Sequence, residues 1–203
     1  MKIALIGATG FIGSRLLAEL SARGHAVSAI TRNPEKVAAA TGVTALKGDV
    51  FDRDGLASVL ADHDAVISAV HFTASDPAVL LAAVKQSGVK RYLVVGGAGS
   101  LEVAPGKQLF DTPEFPAIYL AEAKKGGAFL ELLKGENKLD WTFLSPSALI
   151  QPGERTGTFR LGGDQLLVDA QGKSAISAED YAIALVDELE KPAHSRRRFT
   201  VGY

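Results

Sequence analysis

Gly7-Ala8-Thr9-Gly10-Phe11-Ile12-Gly13 spaces three glycines evenly, directly after the apolar run Lys2–Ile6 and directly before a stretch of helical periodicity. Glycines so placed suit one task above others. The first permits a tight turn, the second lets backbone approach a pyrophosphate, and the third allows close helix–strand packing. The helix that follows would offer unpaired N–H groups and its positive dipole end to the phosphates. Thr9, Phe11 and Ile12 belong to the same loop. Alone the pattern is weak, but at the opening of a βαβ unit it is a specific dinucleotide motif. The plainer reading is a set of turn and packing glycines with no ligand.

The same chemistry makes a demand about twenty residues further on, where an acid usually binds the ribose 2′-hydroxyl of NAD. Here the second strand ends Ala29-Ile30-Thr31-Arg32-Asn33, with no acid. Arg32, a planar fork of donors, can pair instead with a 2′-phosphate. The expected cofactor is therefore NADP(H), with NAD(H) possible; the alternative is a solvated loop arginine. Gly48-Asp49-Val50 follows the third strand, where an adenine ring would lie, and Asp49 could accept from its amino group.

Other clusters carry less. Asp62-His63-Asp64 resembles a ligand set but falls in a turn at the sheet's amino end, as does His25, and His194 belongs to a polar tail. His71 sits at a carboxyl strand end, as a cofactor-side contact or a plain loop residue. No histidine pair at i, i+4 exists, so no metal site is expected. No Gly-x-Ser-x-Gly elbow supports a hydrolase. Arg155 and Arg160 either project over the crevice to hold an anionic group or serve hydrogen bonds within their own segment.

These residues need strands and helices to hold them. Lys2–Ile6, Ala26–Thr31, Val43–Leu46, Ala65–Val70, Arg91–Val95 and Trp141–Leu144 read as strands, nearly continuous in apolar character as strands covered on both faces must be. Ile12, Leu16, Leu17 and Leu20 line one face of the first helix. Pro34 would open a second, Asp76-Pro77 a third as cap and first residue, and Ala178–Glu190 the last. Such alternation requires crossovers and gives an α/β fold, a Rossmann-type doubly wound parallel sheet. Residues 146–177 break the rhythm with turn residues around short runs. They are expected to form a small irregular C-terminal lobe with a hairpin, over the sheet's carboxyl edge and on the substrate side. Phe199–Val201 would be a terminal edge strand. The 203 residues thus make a single domain.

Composition closes several classes. The chain has no cysteine, which excludes disulfides, thiolate metal sites and a cysteine nucleophile. Its 22 Lys and Arg against 23 Asp and Glu leave a net charge of −1, with no basic excess for nucleic acid or a membrane surface apart from Arg196-Arg197-Arg198. No apolar run reaches a membrane span, and the N-terminus does not read as a signal peptide. A cytoplasmic protein, monomer or homodimer, is expected.

Gly7–Gly13, Thr31-Arg32, Gly48-Asp49-Val50 and Ala65–Val70 resemble the atypical short-chain dehydrogenase/reductases. Within them the chain is similar to the small NAD(P)H-binding, NmrA-like group that includes NADH-flavin and biliverdin/flavin reductases. Leu139–Pro146, Pro152–Gly157 and Ile176–Ala182 extend that similarity over nearly the whole chain. The resemblance implies that Ala69, Val70 and His71 pass under the cofactor ribose and that Pro146 flanks the nicotinamide. It also implies a Ser or Thr after the fifth strand and a Tyr-x-x-x-Lys on the following helix. Ser100 and Tyr119 are the catalytic candidates, yet both depart from the pattern. Gly96-Gly97-Ala98-Gly99 precedes Ser100, and Ala123 stands four residues after Tyr119, with lysines only at Lys124 and Lys125. On a regular helix a residue at i+4 lies about 40° around the axis and one at i+5 about 140°, so Lys124 cannot flank the Tyr119 hydroxyl. The tyrosine–lysine relay is read as absent, and Tyr119 as a packing or stacking residue.

A dinucleotide cradle without that relay argues against alcohol or sugar oxidation, where an alkoxide needs a positioned acid or base. It suits hydride transfer to a flavin- or quinone-type acceptor whose anion is delocalised. The expectation is an NADPH-preferring reductase of such a small molecule. A noncatalytic dinucleotide sensor is the alternative, and a nucleotide-sugar epimerase a more distant one.

Overall fold

The computed structural model describes residues 1–203. Seven parallel strands form the sheet: β1 (Lys2–Ile6), β2 (Ala26–Thr31), β3 (Val43–Lys47), β4 (Ala65–Ser68), β5 (Arg91–Val95), β8 (Asp140–Ser145) and β12 (Arg197–Gly202). Their order is β3-β2-β1-β4-β5-β8-β12, and β10 (Arg160–Gly162) closes the far edge antiparallel to β12. The order reverses between β1 and β4, so a crevice opens at their carboxyl ends. The glycine loop lies there.

Helices cover both faces, and strand alternation decides which residues meet which helix. Ile3, Leu5, Val27, Ala29 and Leu93 point to one side, against Leu16 and Leu20 of α1 (Phe11–Ala22) and Tyr181, Leu185 and Leu189 of α5 (Ala178–Glu190). Ala4, Ile6, Val66, Tyr92 and Phe143 point to the other, against α2 (Arg53–Leu60), α3 (Pro77–Ser87) and α4 (Ala117–Lys134). Caps explain the boundaries. The Asp76 carboxylate accepts from the N–H groups of Ala78 and Val79, Pro77 occupies the first turn, and α3 stops at Gly88 with φ +84°. Ser177 accepts from Asp180 N to start α5.

Several expectations change. β4 ends at Ser68, not Val70, because the chain turns there to bring Ala69 against Gly7. Pro34 opens only the short 3₁₀ turn Pro34–Lys36. The strand containing Phe199–Val201 is not at the edge, since β10 flanks it. The segment 146–177 carries no hairpin. Its strands β9 (Leu149–Gln151) and β11 (Ala175–Ser177) pair parallel across the intervening loop. A small hairpin lies earlier, between β6 (Glu102–Ala104) and β7 (Lys107–Gln108). No helix is long and apolar enough to cross a membrane.

Candidate dinucleotide site

The three loop glycines are required for different reasons. Gly7 has φ +84°, and a Cβ there would stand 2.3 Å from the Ala69 carbonyl oxygen. A Cβ on Gly13 would stand 2.0 Å from the Gly7 carbonyl oxygen. Both are therefore demanded by the fold itself. Gly10 is different. It has ordinary extended backbone (φ −74°, ψ 174°) and caps α1 without a side chain. It is solvent-exposed, and a Cβ there would meet nothing closer than the Gly7 oxygen at 3.3 Å. Conformation does not ask for glycine at this position, and packing asks only that the neighbour give by a few tenths of an ångström. The bare backbone at the start of α1 leaves open the space that a pyrophosphate would fill.

Around that opening the expected contact residues take up these positions. Thr9 is exposed, and its hydroxyl lies 3.4 Å from that of buried Thr31, tying the loop to the end of β2. Phe11 is half-exposed with the Arg15 guanidinium over its ring at 4.8 Å, while Ile12 packs into the α1–α5 core. Arg32 is exposed and its guanidinium touches no acceptor in the chain. The Asp49 carboxylate accepts from Phe51 N at 3.0 Å in a local turn, and Val50 packs toward the opposite core. Ala69 and Val70 run under the glycine loop, and Pro146 is buried after β8.

The loop after β4 is held by a residue that the sequence reading did not single out. The Glu122 carboxylate on α4 accepts from Phe72 N (2.7 Å), Thr73 N (2.8 Å) and the Thr73 hydroxyl (2.6 Å), and lies 3.3 Å from His71 Nδ1. Burial opposes its ionisation, but the Thr73 and Phe72 donors outweigh that and hold the carboxyl below the usual glutamate range. One turn on, Gly126 admits the Phe72 ring, since a Cβ there would come within 2.8 Å of it. His71 itself is exposed and turned to Glu122.

Tyr119 lies two turns before Gly126 on the same helical face, 61% exposed at the rim. α4 is regular throughout, so Lys124 stays off that face. Position 123 is filled by alanine, and a Cβ on Gly99 would stand 2.6 Å from the Ala123 Cβ. The Ser100 side chain is buried, and its Oγ accepts from Arg198 Nη1 at 2.9 Å, which leaves its own O–H to donate.

The lobe is clamped by carboxylates. Asp180 accepts from the N–H groups of Thr156 and Gly157, both at 2.8 Å, and from the hydroxyls of Thr156 and Tyr203. Glu179 accepts from Gly153 N. Arg155 forms a bidentate pair with Glu19 of α1, both contacts 2.8 Å, and Arg160 donates to the carbonyls of Val168 and Tyr203. Both arginines therefore serve the protein's own hydrogen bonds. At the amino end, His63 is more than a solvated turn residue, because its buried ring meets Ser28 Oγ at 2.8 Å.

Burial pushes the Asp180 carboxyl up, but the donors from Thr156, Gly157 and Tyr203 prevail and hold it below the ordinary aspartate range. A depressed folded value gives stabilisation that is fully present above the unfolded value and lost as pH falls through the folded one. Acidification should therefore loosen the lobe, read as faster proteolysis around residues 152–158. Asp180→Asn should remove that pH dependence and lower stability at neutral pH by roughly 2 kcal/mol. An unchanged melting temperature would show that the clamp is dispensable.

Comparison with known proteins agrees with this geometry. A family model described as NAD(P)H-binding matches residues 7–192. A Burkholderia pseudomallei structure, described as a candidate exported protein, is 49% identical with TM-score 0.90, covering 100% of both chains. A candidate epimerase from Bacteroides thetaiotaomicron is 46% identical with TM-score 0.95, covering 100% of this chain and 96% of that one. A candidate NADH-flavin reductase from Streptococcus pneumoniae is 37% identical with TM-score 0.82, covering 100% and 99%. With a glycine loop that the fold only partly requires, set at the switch point of a parallel sheet, the chain belongs to the NAD(P)H-binding family of atypical short-chain dehydrogenase/reductases.

Proposed function

We propose that the protein is an NADPH-preferring reductase that passes a hydride to a flavin- or quinone-type acceptor. The observation that carries this reading is the pairing of an open Gly10 with a filled Ala123: a place for the pyrophosphate, and no lysine beside the tyrosine. A bound reduced nicotinamide supplies the hydride, and position and enclosure are left to the protein. Gly7–Gly13 and the α1 N-terminus would hold the pyrophosphate, and Arg32 a 2′-phosphate. Ala69 and Val70, with the loop pinned by Glu122, would form the floor, and Pro146 would flank the reacting ring. Beyond β5, Gly96 is demanded by packing, since a Cβ there would stand 2.2 Å from the Phe143 ring. A Cβ on Gly97 would meet nothing closer than the Phe72 ring at 3.8 Å, which leaves room for a flat acceptor within hydride range. The delocalised anion of a flavin or quinone can take its proton from water, so the missing relay is no obstacle. Epimerisation, which the Bacteroides relative's description suggests for that protein, would call for a positioned acid or base.

Purified protein given NADPH and a panel of flavins and quinones should oxidise the cofactor through many turnovers per chain. Tyr119→Phe should lower that rate by less than tenfold, whereas a true general acid would cost on the order of 10²–10⁴. Tight NADPH binding with no turnover across the panel would replace this reading with the dinucleotide sensor. A loss in the general-acid range would restore Tyr119 to catalysis.

A further inference from the structure

A second concave site lies along β10 and β12, toward the amino ends of β8 and β12 and away from the glycine loop. It is a groove of about 520 Å³, within the range of ~300–1,000 Å³ that small ligands occupy. Lys134, Leu161, Gly163, His194, Arg196 and Arg197 line it, and Trp141 and Leu161 are its only apolar residues. Its charges divide cleanly into engaged and free. Arg198 is locked to Asp164 at 2.6 Å and to Ser100, and Lys134 pairs with Glu131 at 2.7 Å. The His194 ring is stacked on Phe199, 4.1 Å between centroids, with Nδ1 against Glu188. The guanidinium groups of Arg196 and Arg197 have no acceptor in the chain.

Arg196 has φ +51°, in the left-handed region that side-chain-bearing residues rarely adopt. Arg196 N donates to the Trp141 carbonyl at 2.7 Å, which fixes the turn into β12 at the lip of the groove. Opposite, Gly163 leaves its wall open, since a Cβ there would meet nothing within 4 Å.

We propose that this groove is a second ligand site, separate from the dinucleotide crevice, that binds a small phosphate-bearing anion through Arg196 and Arg197. Two planar donor forks on a concave polar wall match tetrahedral oxyanions in geometry as well as charge. The proposal does not depend on the function of the crevice, because the two sites share no residue.

The test is a ¹H–¹⁵N NMR titration with inorganic phosphate, pyrophosphate and glucose 6-phosphate at constant ionic strength, with chloride as the control. Saturable shifts are expected at the amides of Gly163, His194 and Arg197. They should persist in Gly10→Val, which blocks the glycine loop, and weaken about tenfold or more in Arg196→Asn/Arg197→Ser. Asparagine is chosen because it tolerates the left-handed backbone. Tighter binding of the sugar phosphate than of phosphate would assign an ester ligand; the reverse would assign the free anion. Shifts confined to Gly7–Gly13, equal shifts with chloride, or unchanged binding by the double variant would overturn the proposal. So would salt-sensitive binding of duplex DNA with no saturable response to the small anions.

Discussion

Gly10→Val should abolish dinucleotide binding while the protein stays folded. This glycine differs from its two neighbours in the motif. At Gly7 and Gly13 an added Cβ would run into backbone oxygen at 2.3 and 2.0 Å, so substitution there would damage the loop whatever it binds. At Gly10 the backbone angles suit any residue and the nearest atom is 3.3 Å away, close enough to require a shift of only a few tenths of an ångström. The valine side chain would stand where the pyrophosphate must approach the N–H groups of α1. Calorimetry with NADPH should show at least a hundredfold loss, about 2.7 kcal/mol or more, with the thermal unfolding midpoint moved by only a few degrees. Unchanged affinity would reduce the motif to a packing turn. Loss of the fold would show that Gly10 is structural after all, and Gly10→Ala, with one methyl in the same place, would then separate the two effects.

Legibility in the sequence followed the range of the interactions concerned. α1, α3, α5 and the strands β1, β2 and β5 could be read because apolar periodicity determines them locally, helped at α3 and α5 by caps: Asp76 and Ser177 bond to residues two or three positions on. α2 escaped notice. It is only eight residues long, with Leu56, Ala57 and Leu60 as its buried face. The inner position of β12 was hidden because its neighbour β10 is three residues drawn from an otherwise irregular segment. The parallel pairing of β9 with β11 likewise joins runs too short to signal themselves. In the crevice, the glycine loop declared itself by its spacing together with its place between a strand and a helix. The Glu122 clamp did not, because nothing in the sequence says that a carboxylate on α4 meets the backbone of residues 72–73, some fifty positions earlier. The contact of Ser100 with Arg198 was hidden for the related reason that the two lie ninety-eight residues apart. What sequence lacked in each case was the partner's address, not the residue's chemistry.

The second large effect concerns which dinucleotide is bound. Wild-type protein should bind NADPH more tightly than NADH, and Arg32→Ala should erase most of the difference. Arg32 follows the last residue of β2, where Thr31 turns inward and reaches Thr9 across the loop. That leaves Arg32 as the first side chain past the strand to face solvent, with no carboxylate in the chain to engage its guanidinium. No acid stands in the Ala29–Asn33 run either, so nothing there would repel a 2′-phosphate or specifically favour a 2′-hydroxyl. A charge-assisted contact of this kind contributes about 1.5–3 kcal/mol, so the NADPH preference should be on the order of 10- to 150-fold. Because the site is exposed, the preference should shrink as salt is raised, and measurements belong at low ionic strength. Arg32→Lys should retain part of it, since an ammonium keeps the charge but loses the fork. Arg32→Ala should weaken NADPH while leaving NADH nearly untouched, which distinguishes lost recognition of the 2′-phosphate from general damage to the crevice. Equal affinities for the two cofactors in the wild type would remove Arg32 from the site.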